Sequence, residues 1–237
     1  MLIALCSGGH SPGATTAGLA LTLAWPNEVL FAECDPAGGT LLSGYLVGHP
    51  RERGLAEWAV QLRRGADPAK SLNDQTYGNL LPGLAEPAQA ASLQPLWATI
   101  TETFAALPYT VIVDLGRIGG SDTPLPMLIR ADQVLMVVRP TLVHLSAAAP
   151  RLQELKNLGR EPQILLTGKG PYTRKEVART LSAEVVDHLP HDSRAASVLT
   201  HGAGNDRYVP RSLLVRGAHH LAQNLLAQAV REEVMAP

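Results

Sequence analysis

Three loops, each following an apolar run, carry residues whose types and spacing could do chemistry. After Leu2-Ile3-Ala4-Leu5-Cys6 the chain reads Ser7-Gly8-Gly9-His10-Ser11-Pro12-Gly13-Ala14-Thr15-Thr16. The frame G-x-x-x-x-G-x-S/T is present as Gly8, Gly13 and Thr15, between a predicted strand and a predicted helix. In such a loop the backbone N–H groups and the helix N-terminus face phosphates. The Thr15 hydroxyl suits a Mg²⁺ ion. Ala14 stands where a lysine usually precedes that hydroxyl, and Pro12 removes one N–H from the cradle. A Gly-rich turn of this kind also occurs in doubly wound folds that bind no phosphate. His10 would hydrogen-bond a phosphate or stay exposed.

The second loop reads Glu33-Cys34-Asp35-Pro36-Ala37-Gly38-Gly39-Thr40 after the run Val29-Leu30-Phe31-Ala32. Acids at i and i+2 share one face of a strand, so Glu33 and Asp35 are expected to point together at a Mg²⁺ or an attacking water. The plainer reading is an Asp-Pro turn that caps the next helix. The third is Val111-Ile112-Val113-Asp114-Leu115-Gly116. An acid after such a run matches a Walker B strand, whose carboxylate serves the metal, or a simple N-cap.

The elements that must position these loops follow from periodicity. Strands are expected over 2–6, 28–33, 79–81, 110–115, 133–138, 163–167 and 184–188. Helices are expected over 14–25, 41–47, 55–64, 93–107, 124–130, 143–158 (with a kink at Pro150), 174–182, 193–200 and 211–233. Strands that are apolar throughout and alternate with amphipathic helices define a doubly wound, mostly parallel α/β sheet with helices on both faces. With 237 residues and no linker-like stretch, one domain over 1–237 is expected. Open sheets of this kind bind ligands at the carboxyl ends of their strands, where all three loops lie.

Taken together, the three loops resemble the ParA/MinD group of deviant-Walker P-loop ATPases of the SIMIBI class. That family's K-G-G-x-G-K-S/T-T is matched by Gly9-His10-Ser11-Pro12-Gly13-Ala14-Thr15-Thr16, its D-x-D-P-Q-G by Glu33-Cys34-Asp35-Pro36-Ala37-Gly38, and its Walker B strand by the segment ending at Asp114. Ala131-Asp132-Gln133-Val134-Leu135-Met136-Val137-Val138-Arg139-Pro140 resembles a later family strand. Pro190-His191-Asp192 followed by Gly202 resembles the segment that in the family lies near the adenine. The resemblance spans about residues 1–230. It implies ATP and Mg²⁺ as cofactors, Thr15, Asp35 and Asp114 on the metal side, and Asp35 as the acid that orients the attacking water. It also implies a homodimer through the nucleotide face.

The departures are as specific as the matches. Gly9 replaces the signature lysine and Ala14 the P-loop lysine. His10 and Ser11 replace two glycines. Only Lys70, Lys156, Lys169 and Lys175 occur in the whole chain, so none precedes residue 70. Losing one donor of this kind costs roughly 10²–10³ in rate. The pattern resembles the TadZ/CpaE-like members used in pilus assembly and polar localisation, and implies weak ATP binding with little or no hydrolysis. Arg117 and Arg139 fall at the correct sheet edge to replace the lysines, since guanidinium binds phosphate bidentately. Surface salt bridges are their other use. A competent ATPase built on those arginines, and a nucleotide-free dimeric scaffold, are the two alternatives.

Composition narrows the partners. Lys plus Arg is 20 against 21 acids, a net charge of −1, which argues against non-specific nucleic-acid binding and towards a protein partner. The basic cluster Arg51, Arg53, Arg63 and Arg64 reads as a solvated face. The last helix carries an apolar stripe, Leu214, Ala218, Leu221, Leu225 and Ala229, without aromatic or lysine clusters. It therefore reads as a packing helix, not one that docks directly on a membrane. Residues 1–6 lack the basic flank of a signal peptide, and Cys6 and Cys34 read as buried small residues on neighbouring strand ends. A cytoplasmic protein, recruited to a membrane or pole by a partner, is expected.

Overall fold

The computed structural model describes residues 1–202 and 207–235. In chain order the elements are β1 (Leu2–Ser7), α1 (Ala14–Ala24), β2 (Val29–Glu33), α2 (Leu55–Arg63), α3 (Pro68–Asn73), β3 (Leu80–Leu81), α4 (Ala90–Leu93), α5 (Trp97–Ala106), β4 (Thr110–Arg117), α6 (Leu125–Arg130), β5 (Gln133–Val138), α7 (Leu142–Asn157), β6 (Gln163–Thr167), α8 (Arg174–Leu181), β7 (Val185–Leu189), α9 (Ser193–His201) and α10 (Leu213–Met235).

Each strand of the sheet pairs with its neighbours in parallel, in the order β3-β2-β4-β1-β5-β6-β7. Alternate residues of each strand face opposite layers. Leu2, Ala4 and Cys6 of β1 join a core with Trp58 of α2, Trp97 and Phe104 of α5 and Leu152 of α7. Ile3 and Leu5 join the other core with α1, α9 and α10. Being covered on both faces is what makes these strands uniformly apolar. β1 is flanked by β4 and β5, and the connections on its two sides diverge, so the loop after β1 opens into the crevice of a doubly wound sheet.

Most expected elements form, with specific differences. The helix expected over 41–47 is only a 3₁₀ turn, Leu41–Ser43. Gly44 leaves helical dihedrals and passes so close to α9 that a Cβ there would lie 2.3 Å from the Thr200 carbonyl. The helix expected over 93–107 is α4 and α5 joined by a 3₁₀ turn, because Pro95 offers no N–H to continue the ladder. Helix α3 was not expected. Asp67 starts it by accepting from the Lys70 N–H at 3.0 Å. Helix α7 runs unbroken through Pro150. Cys6 and Cys34 are buried as expected, but β4 lies between β1 and β2, so their strands are not neighbours. Leu214, Ala218, Leu221 and Leu225 of α10 are buried, in a helix packed along α1.

Candidate functional site

The loop between β1 and α1 keeps a glycine-like backbone with few glycines. Gly9 has φ 140°, His10 61°, Ser11 47° and Gly13 102°. Left-handed geometry costs roughly 1–2 kcal/mol at a non-glycine residue, and such residues concentrate at ligand clamps. His10 and Ser11 are exposed, while Gly9 and Pro12 are buried. No side chain caps α1 and its first turn holds no acid. Its leading N–H groups therefore present a positive end towards the loop.

Neighbouring elements hold this shape. The Pro12 carbonyl accepts from the Thr167 hydroxyl at 2.7 Å and from Arg139 Nε–H at 3.4 Å. The His10 carbonyl accepts from His144 Nε2–H at 3.2 Å. His144 Nδ1 then accepts a hydrogen bond from the Thr141 hydroxyl at 2.7 Å, the tautomer that a carbonyl partner on Nε2 requires. Burial, with Arg139 and His10 nearby, pushes the His144 pKa below its ordinary value, against the bond to the His10 carbonyl, which raises it. Sequence reasoning missed His144. No short motif marks it, and only the fold brings the start of α7 against the loop.

On the other side lie the acids. Thr15 Oγ1–H donates to Asp114 Oδ2 at 2.5 Å, and the Gly116 N–H donates to Asp114 Oδ1 at 2.9 Å. Asp114 is 2% exposed, and burial raises its pKa despite these bonds. Asp35, just beyond β2, accepts from the Ala37 N–H at 2.8 Å. Burial lifts its pKa to about 6, with the Asp114 and Asp122 charges adding to the rise and the Ala37 bond and Arg117 opposing it. Thr15, Asp114 and Asp35 thus form a hard-oxygen set whose two carboxyls are held above their usual range, which a divalent cation would relieve. Among the described residues no group of three or more His, Cys, Asp or Glu is arranged to hold a metal alone. A Mg²⁺ here would draw its other ligands from water and phosphate, as that ion commonly does.

Glu33 does not join them, against expectation. Its buried carboxylate accepts from the N–H groups of Thr40, Leu41 and Gly83 at 2.7, 3.0 and 3.0 Å. It ties the turn after β2 to the segment after β3. The i and i+2 argument fails because β2 ends at Glu33, so Asp35 lies outside the pleat.

Beside the loop is a cavity of about 110 Å³, lined by Gly13, Thr16, Arg139, Leu189, Pro190 and His191 among others. The structure therefore brings Pro190, His191 and Asp192 to the loop, as expected of that segment. The Asp192 carboxylate is already engaged: it accepts from the Ala195 N–H, the Tyr208 hydroxyl and the Leu213 N–H. Burial works against its charge, but those bonds hold its pKa below the usual range. The Thr16 hydroxyl lies 3.4 Å from that of Thr200. Arg117 and Arg139 are exposed at the ends of β4 and β5, and neither forms an ion pair among the described residues. Gly8 packs on the α7 backbone, where a Cβ would lie 2.5 Å from the Ala147 carbonyl.

A seven-stranded parallel sheet with this loop after its central strand is the P-loop NTPase fold of the ParA/MinD type. The chain matches a ParA family ATPase from Chlorobium tepidum at TM-score 0.76 and 20% identity, over 94% of this chain and 98% of that one. It matches the septum site-determining protein MinD of Pyrococcus horikoshii, solved with Mg-ADP, at TM-score 0.76 and 18% identity, over 96% of each chain. A plasmid partition protein of Borrelia burgdorferi, solved with AMPPNP, matches at TM-score 0.68 and 13% identity, over 96% of this chain and 98% of that one. No protein-family model matches the chain, and neither does any curated protein. At these identities the likeness concerns the fold, and function has to be argued from the site.

Proposed function

We propose that this chain is a ParA/MinD-like nucleotide switch with a degenerate Walker A loop, which binds Mg-ATP weakly and hydrolyses it slowly or not at all. One observation carries the reading: His10 and Ser11 adopt left-handed backbone at the two positions where the family pattern has glycine, in the same loop that leads to a Thr15 bonded to Asp114. A scaffold with no ligand has no use for that strain or for a buried acid beside Thr15. Backbone N–H groups of 8–16 would cradle the phosphates, and the cavity at Pro190 and His191 would take the base. Thr15, Asp114 and Asp35 would hold Mg²⁺, which supplies charge neutralisation of the phosphates when bound. Asp35 would orient water in whatever slow hydrolysis occurs.

On this reading the protein works as a homodimer closed over the nucleotide face, in the cytoplasm, recruited by a protein partner to a membrane or pole. Its role is localisation or assembly of the TadZ/CpaE-like kind, in pilus or secretion assembly, segregation or division-site placement. Neither direct nucleic-acid nor direct membrane binding is part of it. Titration with a labelled ATP analogue, with and without Mg²⁺, beside a phosphate-release assay, tests the reading. Saturable, Mg²⁺-dependent binding with negligible release supports it. Turnover that is lost in Asp35→Ala makes the protein a competent ATPase instead. No binding at millimolar ATP leaves a nucleotide-free scaffold.

A further inference from the structure

We propose that Arg139 and Arg117 supply, from two strand ends, the positive charge that the loop lacks, Arg139 towards the base-proximal phosphates and Arg117 towards the terminal one. This deepens the nucleotide reading above and rests on it. A triphosphate carries several negative charges, and α1 brings only partial ones. No lysine stands in the loop or anywhere before residue 70. The two arginines are the cations that the fold sets against it.

Arg139 ends the approach from β5. Its Nε–H is fixed on the Pro12 carbonyl, its side chain lies along Gly168, and it lines the cavity with Gly13 and Thr16. One N–H holds the loop, and the remaining guanidinium N–H groups are donors suited to a phosphate edge. Arg117 closes β4 on the opposite flank. Its Cδ lies 3.5 Å from where a Cβ of Gly9 would be, so it runs beside the loop at the position that has lost its side chain. Its charge acts on Asp35, which places it on the acid side. In phosphoryl-transfer sites the metal bridges the terminal phosphates, so the acid side is the terminal side. Neither guanidinium is paired with a carboxylate in the described residues, which sets aside the surface-salt-bridge use.

Equilibrium dialysis of labelled ADP and ATP with Mg²⁺ against the wild type, Arg139→Gln and Arg117→Gln separates the roles. Charge-assisted hydrogen bonds predict that Arg139→Gln weakens both nucleotides about tenfold or more. Arg117→Gln should weaken ATP about tenfold and ADP less than about threefold. If Arg139→Gln does not fold by thermal melt, Arg139→Lys replaces it: loss of the bidentate geometry should weaken both nucleotides several-fold and steepen the salt dependence relative to the wild type, whereas affinity and salt dependence equal to the wild type's overturn the Arg139 role. Wild-type binding with both Gln variants unchanged overturns the arginine role and leaves the nucleotide reading standing. Equal loss of ADP and ATP in Arg117→Gln overturns the division of labour. A wild type that binds neither nucleotide at millimolar concentration overturns both.

Discussion

The Asp35 carboxylate rests directly on the Cα of Gly116: a Cβ built there would lie 1.8 Å from Asp35 Oδ2. Gly116 also has φ 61°, and its N–H holds Asp114. One glycine therefore sets the relative position of the two acids proposed for the metal side.

Gly116→Ala should force Asp35 out of place and strain the backbone, at a combined cost of about 2–4 kcal/mol. In an Asp35→Ala background the overlap disappears and only the left-handed penalty of about 1–2 kcal/mol remains. A double-mutant cycle in urea reads the difference as a coupling of about 1–2 kcal/mol. Additive effects would show that the two residues are not in contact.

The raised acids give a pH signature whose sign is fixed. Asp35 has a folded pKa of about 6 against an ordinary 3.8, so between those values the folded chain keeps a proton that the unfolded chain has released. Stability from this group is fully present below about pH 4 and falls as pH rises to 6. Asp35→Asn should therefore be neutral at pH 4 and stabilising at pH 7. Asp35 is only partly buried, so solvent screening reduces the gain to about 1 kcal/mol, or about 2–4 °C in Tm. Thermal melts at the two pH values check it. Added Mg²⁺ should stabilise the wild type more at pH 7 than at pH 5, and Asp35→Asn less than the wild type.

Thr15→Val removes the hydroxyl that Asp114 accepts at 2.5 Å and leaves a buried carboxylate short of a donor. It should cost about 1–3 kcal/mol, measured by chemical denaturation, whereas Thr15→Ser keeps the bond and most of the stability. Loss of Mg²⁺-dependent ATP binding should accompany the Val variant alone.

Ser11 is exposed at φ 47°, and glycine adopts that geometry freely. Ser11→Gly should raise stability by up to about 1 kcal/mol, the relieved strain being partly offset by the freer unfolded chain. A loss of stability would show that the Ser11 side chain supports the loop.

Much of this is legible in the sequence. Apolar runs that end in Asp114 and Glu33, and the Gly-rich turn after Cys6, mark strand ends at one edge of a parallel sheet. Local pattern reaches that far because a strand buried on both faces writes its burial into consecutive residues. It misled at Glu33, because periodicity does not show that the strand stops there and that three backbone N–H groups claim its carboxylate. It could not find His144, whose role arises from the packing of α7 on the loop, 134 residues away in sequence from His10. Propensity argues against a glycine's conformation at Ser11; only its match to a family glycine hints at it, and the carbonyl contacts of Pro12 and His10 are what hold the loop in that shape.

Hydrogen-exchange protection on adding Mg-ATP tests the central claim most directly. The predicted result is slowed exchange in 8–16 and 114–117 at millimolar Mg-ATP, smaller without Mg²⁺, with no measurable phosphate release over the same hours. Unchanged exchange in those segments would contradict it, as would protection confined to another face of the sheet.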